Sequence, residues 1–171
     1  MEKSVREIEQ SIEELQRQIQ QDPRNASAFY FITLAKLYIQ LQRWNEAIDV
    51  CSQGIQIGHK MSFLYTMRGL AYGKLDQSSL AAKDFTYALQ LDPHDANALF
   101  NRSVLWIKLR DWHRVIDDST LLIHARPNFF QAYINRGISL HQLAQNEAAM
   151  ADLNFVIDNA TLDTDKVVAS T

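Results

Sequence analysis

The sequence predicts an all-α fold of stacked helical hairpins, and three observations predict it. Arg68, Arg102 and Arg136 are spaced thirty-four residues apart, and each is followed sixteen residues later by an aspartate, Asp84, Asp118 and Asp152. Leu41, Leu75, Leu109 and Leu143 recur at the same period. Bulky positions (Phe31, Tyr65, Leu99, Tyr133; Tyr38, Tyr72, Trp106, Leu140) alternate with small ones (Ala35, Gly69, Ser103, Gly137; Ala47, Ala81, Val115, Ala149) in fixed register. A large/small alternation at this period is the mark of repeating hairpins, each too small to bury its own apolar face.

The elements follow in chain order. Residues 1–27 form a capping helix and linker: Ser4 and Glu7 make a capping-box pattern, and Val5, Ile8, Ile12, Leu15 and Ile19 step by three and four along one narrow stripe. Asp22-Pro23 ends that helix. Four units then occupy 28–61, 62–95, 96–129 and 130–163, each reading as helix, turn, helix, with the turn where polar residues gather at Gln42-Arg43, Asp76-Gln77, Arg110-Asp111 and Ala144-Gln145. Pro93 and Pro127 end second helices, Asp95 is placed to cap the next helix, and His59 and Thr161 stand where the other units have proline. Residues 164–171 read as a short tail.

In an antiparallel hairpin of this length Tyr65 faces Ala88, Tyr72 faces Ala81, Phe31 faces Gly54 and Tyr38 faces Ala47, so the helix axes approach closely. Each arginine falls level with its aspartate to within about 1.5 Å of axial rise, which predicts the structural ion pairs Arg68–Asp84, Arg102–Asp118 and Arg136–Asp152. The first unit has Leu34 and Val50 at these two positions, losing both charges together.

The residues Tyr65-Thr66-Met67-Arg68-Gly69-Leu70-Ala71-Tyr72, with Ala81, Phe85, Ala88 and Pro93, resemble the tetratricopeptide repeat family. The third unit keeps Trp106 and Pro127 but has Ser103, Val115 and Ser119 at positions where that family favours Gly, Ala and an aromatic. The first is the most divergent, with Cys51 at an aromatic position. The resemblance implies a right-handed α-α superhelix whose first helices line a concave face, and a role in holding other proteins. Some family members grip carboxylate-ended chaperone tails. At those positions this sequence has Thr66, Leu70, Asn101, Gln131 and Asn135, or Ile32, Lys36, Met67, Asn97 and Asn101, and the expectation is that it is no such clamp.

On the first helices, the positions turned away from the partner helix are unusually apolar. The binding groove is therefore expected at Phe29, Ile32, Lys36, Phe63, Met67, Leu70, Lys74, Phe100, Asn101, Val104, Lys108, Asn135 and Ile138. Ile39, Ile107 and Ile134 belong to the same faces. The two asparagines offer amides that donate and accept, and the lysines favour acidic ligand residues. The function expected is a non-enzymatic protein-protein interaction module that binds a peptide or helical segment. The alternative is a chaperone-like protein that shields apolar segments of unfolded or secreted clients.

Other classes fit poorly. Seventeen basic and twenty acidic side chains leave a net charge of −3, which argues against nucleic acid as a partner. One cysteine allows no internal disulfide, His59, His94, His113, His124 and His141 are scattered, and there is no HExxH, GxSxG or phosphate-loop glycine run. No catalytic residue, metal or cofactor is expected. Met1 to Glu7 lack a signal peptide's apolar run, and no stretch is long enough for membrane insertion, so the expected location is cytoplasmic. Met150, Leu153 and Ile157 are expected to be partly open. Self-association through that C-terminal hairpin or through the N-terminal helix is the accompanying expectation, beside continuation into a longer protein.

Overall fold

Turn chemistry and proline placement divide the chain into helices, and the computed structural model describes residues 4–58 and 60–168, with side chains described through 159. His59 lies outside the described residues. Among them all regular structure is helical: α1 (Val5–Gln21), α2 (Ala28–Gln40), α3 (Trp44–Gln56), α4 (Ser62–Lys74), α5 (Ser78–Leu91), α6 (Ala96–Lys108), α7 (Trp112–Ala125), α8 (Phe130–Gln142) and α9 (Asn146–Val168). The first helices of the hairpins begin at residues 28, 62, 96 and 130. The chain forms two compact units, Met1–Ala98 and Leu99–Thr171.

The four interhelical turns share one device. Gln42, Asp76, Arg110 and Ala144 adopt φ of 56°, 60°, 57° and 58°. In the first turn the Arg43 amide donates to the Tyr38 carbonyl at 2.8 Å and the Gln42 amide to that of Ile39 at 3.0 Å. The other three turns repeat these bonds: Gln77 to Tyr72, Asp111 to Trp106 and Gln145 to Leu140. This is the Schellman closure, which satisfies the last free carbonyls of a helix and usually has glycine at the left-handed residue. None of the four is glycine.

In unit one, α1 starts at a complete capping box: the Glu7 amide donates to Ser4 Oγ at 3.3 Å and the Ser4 amide to Glu7 Oε2 at 2.8 Å. Ile8, Ile12 and Ile19 are buried with Phe31, Leu34 and Tyr38 of α2. Val5, at the end of the predicted stripe, is instead 65% exposed. Polar contacts fix the same helix. Gln16 Nε2 donates to Tyr38 Oη at 2.8 Å, and Arg43 reaches Glu9 at 3.3 Å while pairing with Glu46 at 2.7 Å. Phe31 meets Gly54, and Tyr65 packs with Ala88 and Ala98. Asp95 has two jobs: Oδ1 accepts from the amides of Asn97 and Ala98, capping α6, while Oδ2 accepts from Thr66 Oγ1 at 3.0 Å.

In unit two, α8 and α9 close where Gly137 lies against Leu153 and the Ala149 carbonyl. The Phe155 ring stacks on Tyr133 at 4.3 Å. Helix α9 continues to Val168, five residues into the expected tail. The physical reason is Thr161: α5 and α7 stop just before Pro93 and Pro127, whereas no ring breaks the hydrogen-bond ladder here. Residues 169–171 lie outside the described residues. Met150 and Ile157 are 57% and 60% exposed.

A left-handed conformation costs an alanine about 1 kcal/mol relative to glycine. Ala144→Gly is therefore expected to raise the urea midpoint by about that free energy, and Ala144→Val to lower it. An unchanged midpoint in both variants contradicts this account of the turn.

Candidate functional site

The charged residues that recur most regularly are taken up by structure. Arg68 donates from Nε and Nη2 to the two carboxylate oxygens of Asp84 at 2.7 and 2.8 Å, and from Nη1 to Ser52 Oγ at 3.0 Å. Arg136 makes the equivalent fork to Asp152 at 2.8 and 2.7 Å and reaches Thr120 at 3.1 Å. Arg102 grips Asp118 at 2.8 and 2.6 Å, and the Trp106 indole donates to the same carboxylate at 3.1 Å. The hydrogen bonds to Asp84 and Asp152 hold the Arg68 and Arg136 guanidinium groups above their ordinary pKa, against the opposing pull of burial. These guanidiniums are spent on linking helices, since their planar forks already face carboxylates. The hydroxyl partners were missed in the sequence, although Ser52 and Thr120 lie sixteen residues before their arginines, mirroring the aspartates sixteen after.

The apolar face of unit one comes from α2 and α4. Phe29, Ile32 and Lys36 follow helical spacing on α2, as do Phe63, Met67, Leu70 and Lys74 on α4. Phe29 is 65% exposed with its ring edge-on to Tyr30, and Ile32, Phe63 and Leu70 are half-buried. The Lys36 ammonium sits 4.9 Å above the centroid of the Phe63 ring, tying the two helices together at the surface. Lys74 is exposed in the last turn of α4. Met67 departs from the expected face: it is 6% exposed and packs into the core with Leu34 and Ala35, where a flexible thioether fills the space between helices.

In unit two, Val104 and Ile138 are 45% and 44% exposed, Lys108 is exposed, and Asn101 is half-buried. Phe100 is half-buried with its ring edge-to-face with Phe129 at 5.4 Å. Asn135 stands apart from the expected face. It is buried, donating to Ser103 Oγ at 3.3 Å and accepting from Gln131 Nε2. The reason is Ser103, whose small hydroxyl in place of an apolar group gives the amide both room and a partner.

Nucleophile chemistry is poorly served. Cys51 is fully buried, and burial pushes its thiol up to about 12. No group of three or more His, Cys, Asp or Glu among the described residues could hold a metal ion. No described helix is long and apolar enough to cross a membrane.

Residues 64–95, which contain most of α4, all of α5 and the Arg68–Asp84 bridge, match the model of the tetratricopeptide repeat family. The second hairpin is thus similar to a tetratricopeptide repeat. Among curated relatives, mouse tetratricopeptide repeat protein 28 is 28% identical over 87 residues, covering 46% of this chain. The match spans only 4% of that relative's length. The crystal structure of MamA superposes with a TM-score of 0.85 over 92% of this chain and 91% of that one, at 17% identity. YrrB, described as a tetratricopeptide protein with an unusual peptide-binding site, superposes with a TM-score of 0.73 over 90% of this chain and 78% of its own, at 21% identity. At such identities the likeness establishes the tetratricopeptide fold and leaves ligands to each protein's own side chains.

Two outcomes follow from the buried groups. Asp84→Val leaves a buried guanidinium unpaired and is expected to cost about 3–5 kcal/mol, whereas Arg68→Leu/Asp84→Val recovers most of the loss. Equal melting temperatures for the single and double variants would reject the bridge. Cys51 contributes to alkaline instability, because the unfolded thiol ionises from its ordinary 9.0 upward while the folded one keeps its proton to about 12. The stability difference between wild type and Cys51→Ala should shift against wild type by about 1.4 kcal/mol per pH unit in that window. Urea titrations at pH 8, 9.5 and 10.5 read it directly.

Proposed function

We propose that the α2/α4 face of unit one holds an extended or helical segment of a partner protein, with no covalent chemistry. The observation behind this reading is that Phe29 is 65% exposed and that Ile32, Phe63 and Leu70, at helical spacing on α2 and α4, remain only half-buried. An exposed apolar surface of this kind marks a binding face. Lys36 and Lys74 edge it and select for acidic groups flanking the ligand's apolar anchors. In unit two Phe100, Asn101, Val104, Lys108 and Ile138 offer a second face of similar chemistry. Met67 and Asn135 support these faces from beneath. The fold shared with YrrB agrees with this use, since that protein is itself described as having a peptide-binding site.

The test places two carboxylates on the α4 surface. Phe63→Glu/Leu70→Glu should leave the helical circular dichroism unchanged and weaken a captured partner, or a peptide selected from a displayed library, by at least tenfold. If every ligand of the wild type survives both charges, the binding surface lies elsewhere.

A further inference from the structure

The first hairpin lacks the arginine of the others, and the space that arginine would fill is open. In the second hairpin the Arg68 guanidinium lies among three helices, bonded to Ser52 on α3 and Asp84 on α5. The corresponding trio in the first hairpin is α1, α2 and α3, and the corresponding residues are Leu34 and Val50. Leucine ends where the guanidinium would begin. A cleft of about 260 Å³ opens there, with Leu34, Val50 and Ile19 as its apolar base. That is smaller than the pockets that enclose drug-sized ligands and matches a single long side chain.

The walls of the cleft are rich in acceptors. Asp49 and Gln53 of α3 face Gln16 and Gln20 of α1. Asp49 has no ion-pair partner among the described residues, and there the side chains of Gln20 and Gln53 make no hydrogen bond. Gln16 donates its amide to Tyr38, which leaves its carbonyl oxygen as an acceptor. Glu46, also on the wall, is already paired with Arg43. The acceptor set is therefore one solvent-exposed carboxylate and three exposed amide oxygens around an apolar base, which suits a cation that is flat, weakly hydrated and furnished with several divergent donors. Guanidinium meets all three demands; ammonium is strongly hydrated and compact.

We propose that the α1/α2/α3 cleft binds a guanidinium group from outside the chain, supplied in trans where the other hairpins supply it from their own arginine. The group reaches the apolar base with its methylenes and turns its N–H donors toward Asp49 and the three amides. This site uses none of the residues of the α2/α4 face, so the two can be tested separately.

The experiment is an amide-detected NMR titration of the full chain with N-acetyl-arginine amide, followed at the side-chain amides of Gln16, Gln20 and Gln53. Saturable shifts are expected, at least tenfold weaker for N-acetyl-citrulline amide, which keeps the shape without the charge, and weaker also for N-acetyl-lysine amide. Asp49→Asn should weaken binding about fivefold or more. Leu34→Arg/Val50→Asp, which installs the pair of the other hairpins, should abolish it while preserving amide dispersion. Non-saturating shifts, equal affinity for citrulline, or an Asp49→Asn variant that binds as wild type would each overturn the proposal; the Asp49→Asn arm stands even if the double variant fails to fold. A peptide that contains one arginine distinguishes the sources: tenfold tighter binding than the amino-acid amide assigns the site to a partner polypeptide, and equal binding assigns it to a free guanidinium compound.

Discussion

A methyl group added to Gly69 would lie 2.8 Å from a ring carbon of Phe85 and 3.3 Å from the Ala81 carbonyl, inside ordinary contact distance. The two helices of that hairpin can therefore touch only because the methyl is missing. The same close approach recurs where Phe31 crosses Gly54 and where Leu153 crosses Gly137. Once the axes are this close, the register between helices is set by which bulky residue meets which small one, and the rest follows from that register. It brings an arginine and an aspartate sixteen residues apart into a two-point fork, and it fixes the turn length that only a left-handed residue can close.

The bridges show why charge inside such a hairpin is held in pairs or not at all. A carboxylate as buried as Asp118, 2% exposed, carries a desolvation cost that its arginine and the Trp106 indole offset together. Take away both charges, as in Leu34 and Val50, and the hairpin still closes, with apolar contact replacing the fork. The change then passes to the neighbouring helix. Where α3 offers Ser52 to an arginine, α1 offers glutamines to a leucine that cannot use them. The first hairpin thus trades an internal bond for an unfilled recess, and Arg43, bound to Glu46 and Glu9, takes over part of the task of holding α1 in place.

What could be read in the sequence was whatever depends on one hairpin alone. The period places helix starts at residues 28, 62, 96 and 130, and the sixteen-residue offset places the three bridges, because both are settled by helical rise within a single hairpin. The left-handed turn residues were not legible: Gln42, Asp76, Arg110 and Ala144 carry no glycine to announce them, and the constraint sits in the bonds made by their neighbours. Asn135 could not be placed from its own helix, since its burial depends on Ser103, thirty-two residues earlier. Met67 was misplaced for a related reason, because whether an apolar residue on a first helix faces solvent or core is decided by the hairpin packed beside it. The length of α9 hinged on the absence of a proline, a weaker signal than its presence.

Environment rather than residue type sets the fate of each repeated position. Ile48 and Ile55 on α3 pack against the buried cluster that includes Leu64 and Met67 of α4, whereas Met150 and Ile157, at the same repeat positions on α9, are more than half exposed. Position by position these side chains are alike, and the difference is that α4 packs against those on α3 while no described helix covers those on α9. The same logic explains why the faces of the first helices are where recognition is sought. Residues such as Phe29, at 65% exposure, belong to neither the hairpin's internal register nor its bridges. Their exposure is set by the surface of the first helix, and on the reading proposed above that surface is where a partner's apolar groups would be covered.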